Sequence, residues 1–125
     1  MDVPSDLHYT EEHEWVRVEG KVAVIGITDY AQGELGDIVF VELPGVGEKV
    51  KAGTECGTIE AVKTVAQLFA PVSGKVLEVN SDLDSDSAMV NRDPYGDGWM
   101  MKIEMSDQGE IDGLMSSDAY RSKVS

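Results

Sequence analysis

A single cysteine, Cys56, stands in the 125 residues, so no disulfide can close within the chain and a stapled secreted scaffold is excluded. Cys56 follows Thr54-Glu55 in a strand-like run, which predicts a buried, inert thiol rather than a nucleophile. Histidine is almost as scarce. His8 and His13 are the only two, and with Cys56 they form no zinc spacing. No apolar run approaches the roughly 18 residues of a membrane span, and membrane insertion is not expected. Basic residues are few, ten Lys and Arg against 24 Asp and Glu, for a formal net charge of −14. That balance repels phosphate backbones and anionic membrane surfaces, which removes nucleic acid from the expected partners. The start, Met1-Asp2-Val3-Pro4-Ser5-Asp6, has neither the basic and apolar pattern of a secretory signal nor an Arg-rich amphipathic stretch. A cytoplasmic protein is the expectation, or a mitochondrial matrix protein already trimmed.

What is present is patterned. Hydrophobic residues make up 42% of the chain in clear runs, which predicts a folded domain with a solvated acidic surface rather than disorder. That surface serves solubility, or solubility together with steering of a docking partner. The length favours one domain over residues 1–125, burying about 65–70% of the surface that the unfolded chain exposes. His13 to Val18 and Val22 to Ile27 read as a hairpin about Glu19-Gly20. Thr28 can cap a short helix near 28–34 that Gly33 or Gly36 would end. Short strands follow at Asp37 to Leu43, Glu48 to Val50, Cys56 to Val62, Val65 to Phe69, Lys75 to Asn80 and Trp99 to Met105, with a polar loop before the last. Strands so short and evenly spaced predict a mainly β small barrel or sandwich, with its core over about 7–105. A C-terminal helix is predicted over about 106–121. Ser106 or Asp107 would be its N-cap, Asp107 and Glu110 would form a capping box, and Ile111, Leu114 and Met115 would share an apolar face weakened by Gly109 and Gly113.

One lysine of seven is distinguished by position. Thr58-Ile59-Glu60-Ala61-Val62 and Val65-Ala66-Gln67-Leu68-Phe69 flank Lys63-Thr64 almost symmetrically, so a hairpin would lift Lys63 to its tip, within reach of an enzyme. Gly47, sixteen residues before Lys63, and Gly74, eleven after it, stand where the chain reverses and a positive φ would favour glycine. Lys21 and Lys75 also adjoin turn glycines but lack the symmetry. A flexible four-carbon stem ending in an amine can take an amide-linked group and swing it between partners, and the amide removes the charge.

Paired glycines about a hairpin-tip lysine resemble the lipoyl and biotinyl carrier domains. The resemblance sharpens to the glycine cleavage H-protein family through Tyr9-Thr10-Glu11-Glu12-His13-Glu14-Trp15, Gly26-Ile27-Thr28-Asp29-Tyr30-Ala31-Gln32, the run from Leu35 to Pro44, Glu60-Ala61-Val62-Lys63, and Val90-Asn91-Arg92-Asp93-Pro94-Tyr95-Gly96-Asp97-Gly98-Trp99. It covers residues 7 to 121. It implies a flattened barrel-sandwich hybrid and a carrier that is not itself an enzyme, with lipoate attached to Lys63 as lipoyl-lysine. The arm would take the aminomethyl group of glycine from the P protein, a glycine decarboxylase. It would pass it to the T protein, an aminomethyltransferase, and be reoxidised by the L protein, a dihydrolipoamide dehydrogenase. Glu60 matches the acidic position read by the lipoate-attaching enzyme, and Gly74 the turn that presents the hairpin; both are open to a purely structural reading. Glu14 is implied as a carboxylate partner for the loaded amine in a water-excluding cleft, or else is an ordinary strand-edge charge. Two positions depart from the family pattern. Gln67 stands where an acidic residue is common, and Glu12 where a small hydroxyl residue is often seen.

Other motifs fail on their own chemistry. Asp82-Leu83-Asp84-Ser85-Asp86 begins like a calcium loop, but the sixth position is Ser87 rather than Gly and the twelfth is Asp93 rather than Glu. Gly45-Val46-Gly47 lacks the third glycine and following helix of a dinucleotide site. A biotin carrier would flank its lysine with Met, where this chain has Val62 and Thr64. A carrier domain of a 2-oxo-acid dehydrogenase complex would bring a Pro- and Ala-rich linker, whereas an H-like protein that relays lipoate would use the same hairpin. An unmodified Lys63 acting as a Schiff-base nucleophile would need a desolvated pocket that a hairpin tip does not offer.

Overall fold

The computed structural model describes residues 2–125. Among these residues nine strands form two antiparallel sheets packed face to face. The larger holds β1 (His8–Tyr9), β2 (Glu14–Glu19), β3 (Val22–Ile27), β9 (Met101–Met105), β8 (Gly74–Val79) and β5 (Lys49–Val50), in that order. The smaller holds β4 (Ile38–Glu42), β6 (Glu55–Ala61) and β7 (Val65–Phe69). The expected barrel-sandwich is thus present. Ile25, Ile103, Met101, Ile59, Leu68 and Val72 fill the space between the sheets and are almost fully buried.

Strand β3 is buried on both faces, which explains its near-continuous apolar run. Ala23, Ile25 and Ile27 enter the central core, while Val24 turns to a second cluster with Tyr9, Trp15 and Tyr120 on the outer face of the larger sheet. The N-terminal segment and the C-terminal helix close over that cluster through Val3, Leu7 and Tyr120. No helix among the described residues is long and apolar enough to cross a membrane.

Helix α1 (Asp29–Leu35) is capped by Thr28, whose Oγ1 accepts from the Ala31 N–H at 3.2 Å. It ends at Gly36, held at φ 78°, a left-handed conformation for which glycine carries no steric penalty. The polar stretch before β9 contains two single-turn helices, α2 (Asp82–Ser85) and α3 (Met89–Arg92), which drive Leu83 and Val90 into the core. With so few apolar residues they give no helical periodicity, so the sequence reads as loop.

The predicted helix over 106–121 divides. Residues Gln108–Gly113 form a 3-10 helix, Met115 bridges to Tyr9 as extended chain, and α4 spans Ser117–Val124 with Ser116 as a new N-cap. Asp107 does cap, accepting from Gly109 N–H at 2.9 Å, but no capping box closes. The Glu110 carboxylate instead accepts from Ser73 N–H and Oγ at 2.7 and 2.9 Å. Ile111 and Leu114 pack on the central core and Met115 on the second cluster. Serving two cores breaks the common face that a continuous helix would have given them.

Candidate functional site

Strands β6 and β7 pair with Glu60 opposite Val65, and Ala61 N–H donates to the Thr64 carbonyl at 2.8 Å. Val62 and Lys63 are left as the two residues of a tight tip, both exposed. Lys63 makes no ion pair among the described residues. Its stem lies back over Gly36, where a β-carbon would come within 3.3 Å of Lys63 Cε. Gly36 is itself fixed by Asn91, whose side chain donates to the Gly36 carbonyl at 2.9 Å and accepts from Ile38 N–H at 3.0 Å. A residue in the polar stretch of the sequence therefore shapes the surface on which the lysine rests.

Beside Gly36 opens a cleft of about 390 Å³ between α1 and the two sheets. Leu35, Ala31, Ile27, Ile59, Ala66 and Phe69 give it apolar walls, and Glu12, Glu34 and Gln67 stand at its exposed rim. Glu14 lines it as well, 2% exposed. Its carboxylate accepts from Thr10 Oγ1 at 2.5 Å and from the Phe69 N–H at 3.2 Å. Burial, opposed by these two bonds, pushes its pKa up to about 7, because a desolvated carboxylate resists ionisation. His13 and Tyr30 line the same cleft with ring centroids 4.9 Å apart.

The structure thus sets Lys63 and Glu60 at the tip end of the β6–β7 hairpin and Glu14 at its other end, where Phe69 pairs with Glu55, with the cleft running along the hairpin between them. Glu60 is exposed on β6 between Phe40 and Val65, which are themselves 47% and 53% exposed. Gly74 is not part of this grouping. It opens β8 in the other sheet, paired with Met105 and Val50. Its φ of 159° is positive, as expected, and lies where residues other than glycine are strained; packing adds a second reason for glycine there. A β-carbon would run into the Glu104 carbonyl oxygen and stand 2.7 Å from Ile103 Cγ2. Close packing of backbone on backbone excludes any side chain. Gly47 also adopts a positive φ, 93°. Cys56 is half-buried, and burial with the charges of Glu14 and Glu55 pushes its thiol up to about 12. It stays protonated and inert.

Sequence reasoning missed α1 as a cleft wall, along with His13, Tyr30 and the anchoring Asn91. The motifs that contain them were visible, but nothing in their spacing says which face of a seven-residue helix meets a hairpin thirty residues on.

A flattened sandwich that offers an exposed hairpin lysine beside an apolar cleft defines the class of lipoyl- and biotinyl-carrier proteins. Comparison with known proteins narrows this. The family model described as glycine cleavage H-protein matches residues 7–125. The chain is 54% identical over 124 residues to the glycine cleavage system H protein of Staphylococcus haemolyticus, covering 99% of this chain and 98% of that one. It is 55% identical to the protein of the same description from Halalkalibacterium halodurans, over 99% and 97% of the two chains. The crystal structure of a glycine cleavage system H protein from Mycobacterium marinum superposes with a TM-score of 0.89 at 41% identity, over 97% of this chain and 98% of that one. The chain belongs to the glycine cleavage H-protein family.

Proposed function

We propose that Lys63 is lipoylated and that the chain carries the aminomethyl group of glycine from the P protein to the T protein, with the L protein restoring the oxidised arm. The chain would be a shuttle and not an enzyme. The observation that carries this is the placement of an exposed Lys63 against Gly36, next to Leu35 in the wall of a cleft that contains a buried carboxyl group.

The residues present fit such a group. A stem lying on a glycine has room to swing, and apolar walls from Leu35, Ala31, Ile59 and Phe69 suit an aliphatic arm. Once bound as an amide, lipoate supplies a disulfide that opens on taking up the aminomethyl unit and closes on reoxidation. The chain supplies the rest. Lys63 gives reach and loses its charge on acylation. Glu14, poised near neutrality, can ionise to accept a charge-assisted hydrogen bond from a protonated amine, and the cation in turn would favour its ionised form. Thr10 and the Phe69 N–H hold the carboxylate in place. Glu12 and Glu34 at the rim favour entry of a cationic load. Closure of the cleft would exclude water from a group prone to hydrolysis. Glu60, displayed between two exposed apolar side chains, is available to the lipoate-attaching enzyme.

Intact and peptide mass spectrometry, on protein produced with lipoate and its attachment machinery, is the direct test. A lipoyl-sized increment mapped to Lys63 and lost in Lys63→Arg, with the fold unchanged, is expected. No increment under conditions that modify a control carrier would overturn the proposal. Reconstitution with the P, T and L proteins should then show glycine–carbon dioxide exchange that Lys63→Arg abolishes.

A further inference from the structure

His13 has φ 69°, the one positive value at a non-glycine residue among those described. Such a conformation persists where the surroundings impose it, and it concentrates at functional sites. Two backbone bonds impose it here. The His13 N–H donates to the Thr10 carbonyl at 3.2 Å, and the His13 carbonyl accepts from Thr28 N–H at 3.0 Å. A third contact fixes the ring, because Nδ1 lies 2.8 Å from the hydroxyl of Tyr120, 107 residues further along in α4. Tyr120 is fully buried and stacks on Tyr9 at 4.7 Å with the rings 9° from parallel. Its hydroxyl also stands 2.7 Å from Thr28 Oγ1.

Counting protons orders this network. Thr28 is fully buried, and its Oγ1 already accepts from the Ala31 N–H. Among the described residues the Tyr120 oxygen is the one acceptor within reach of the Thr28 hydroxyl proton. Thr28 therefore donates to Tyr120, and Tyr120, with one proton of its own, donates onward to His13 Nδ1. The opposite order would strand a buried hydroxyl proton without an acceptor.

We infer that Tyr120 is a positioning residue of the cleft: its hydroxyl, donating to Nδ1, holds His13 as the neutral Nε2–H tautomer. A second proton on the ring would have to enter at Nδ1, against the Tyr120 proton, and would reverse the relay. The charged and titratable groups about the ring are Glu12 and Glu14 beside it, Tyr30 and Glu34 on α1, and Lys123 and Tyr120 on α4. Burial and Lys123 outweigh the two rim glutamates, and the imidazole sits below its ordinary range. The consequence for function rests on the carrier reading. A histidine kept neutral puts no second cation beside a protonated amine on the Lys63 arm and leaves that amine to Glu14. The C-terminal helix, remote in sequence from the lysine, would thereby govern how well the load is kept.

Long-range proton–nitrogen correlation spectra of the unmodified, nitrogen-labelled chain test the assignment without any substitution, with His8 as internal reference. His13 is expected to show a single Nε2–H pattern; an Nδ1–H pattern would overturn the inference. Tyr120→Phe keeps the stack on Tyr9 and removes only the hydroxyl. In it His13 should populate both tautomers, and an unchanged Nε2–H pattern would overturn the inference as well. On protein loaded with the aminomethyl group, Tyr120→Phe should release it several-fold faster than wild type. An altered tautomer with an unaltered release rate would sink the positioning role. Failure of the wild type to accept lipoate at Lys63 would instead sink the carrier reading, while the spectra decide the tautomer independently.

Discussion

At 2% exposure the Glu14 carboxyl has two protein donors, Thr10 Oγ1 and the Phe69 N–H, and its pKa is pushed up to about 7 from an ordinary 4.5. A raised carboxyl pKa means that the folded state holds its proton more tightly than the unfolded one. The resulting stability is fully present below about pH 4.5 and is lost as the pH rises through about 7. Glu14→Gln removes the titration, so its stability relative to wild type should climb by up to ~3 kcal/mol over that interval and then level off. Urea unfolding across a pH series reads this directly, and a constant difference would mean that the carboxyl titrates normally. At Gly74 the expected effect has the other sign. Gly74→Ala sets a β-carbon against the Glu104 carbonyl, and the overpacking should cost about 1–3 kcal/mol, read as a lower urea midpoint with an unchanged slope. The two residues differ in legibility. Glu14 was identifiable only through the resemblance, since burial of one carboxyl is a tertiary fact. Gly74 was correctly singled out for its positive φ, but the second reason for glycine was hidden, because a steric conflict between β8 and β9 leaves no local mark.

Helix α4 has eight residues, too few to persist alone in water. It is held through Tyr120, by the stack on Tyr9 and the bonds to His13 and Thr28, and through Arg121, which donates to the Val3 carbonyl at 2.8 Å. Tyr120→Ala should therefore destabilise the protein by roughly 3–5 kcal/mol, as for other buried aromatic truncations. Amide exchange across 117–124 should rise toward unprotected rates while β3 and β9 stay protected; uniform loss of protection would mean that α4 is part of the cooperative core. Among the elements, the β2–β3 hairpin, the capped α1 and the Lys63 hairpin were legible because their signals are local: alternation, a Thr cap, a glycine stop, two matched strands about a tip. Strand β1, with two residues, and the single turns α2 and α3 are too short to carry periodicity. The division of the C-terminal helix was illegible because Glu110 and Met115 are claimed by distant partners, Ser73 and Tyr9.

For the whole molecule, steering of docking by the −14 charge is a testable reading of the acidic surface. The rate of transfer to a partner enzyme should fall several-fold from about 0.01 to about 0.1 M salt, as the screening length contracts from about 30 to about 10 Å. Rates independent of salt would confine the acidic surface to solubility. The fold places the rim acids Glu12 and Glu34 where such a field acts closest to the cleft.

The sequence by itself determined a mainly β sandwich, the exposed hairpin lysine and, through its motifs, the family, because strand alternation, turn chemistry and capping act over a few residues. The tertiary structure alone decided that α1 and the β6–β7 hairpin would enclose a cleft and that Glu14 would be buried in it. It alone set His13 against Tyr120. These depend on which faces of separate elements meet in packing, and the free energy that selects those contacts is summed over the whole core rather than written in any one stretch of chain.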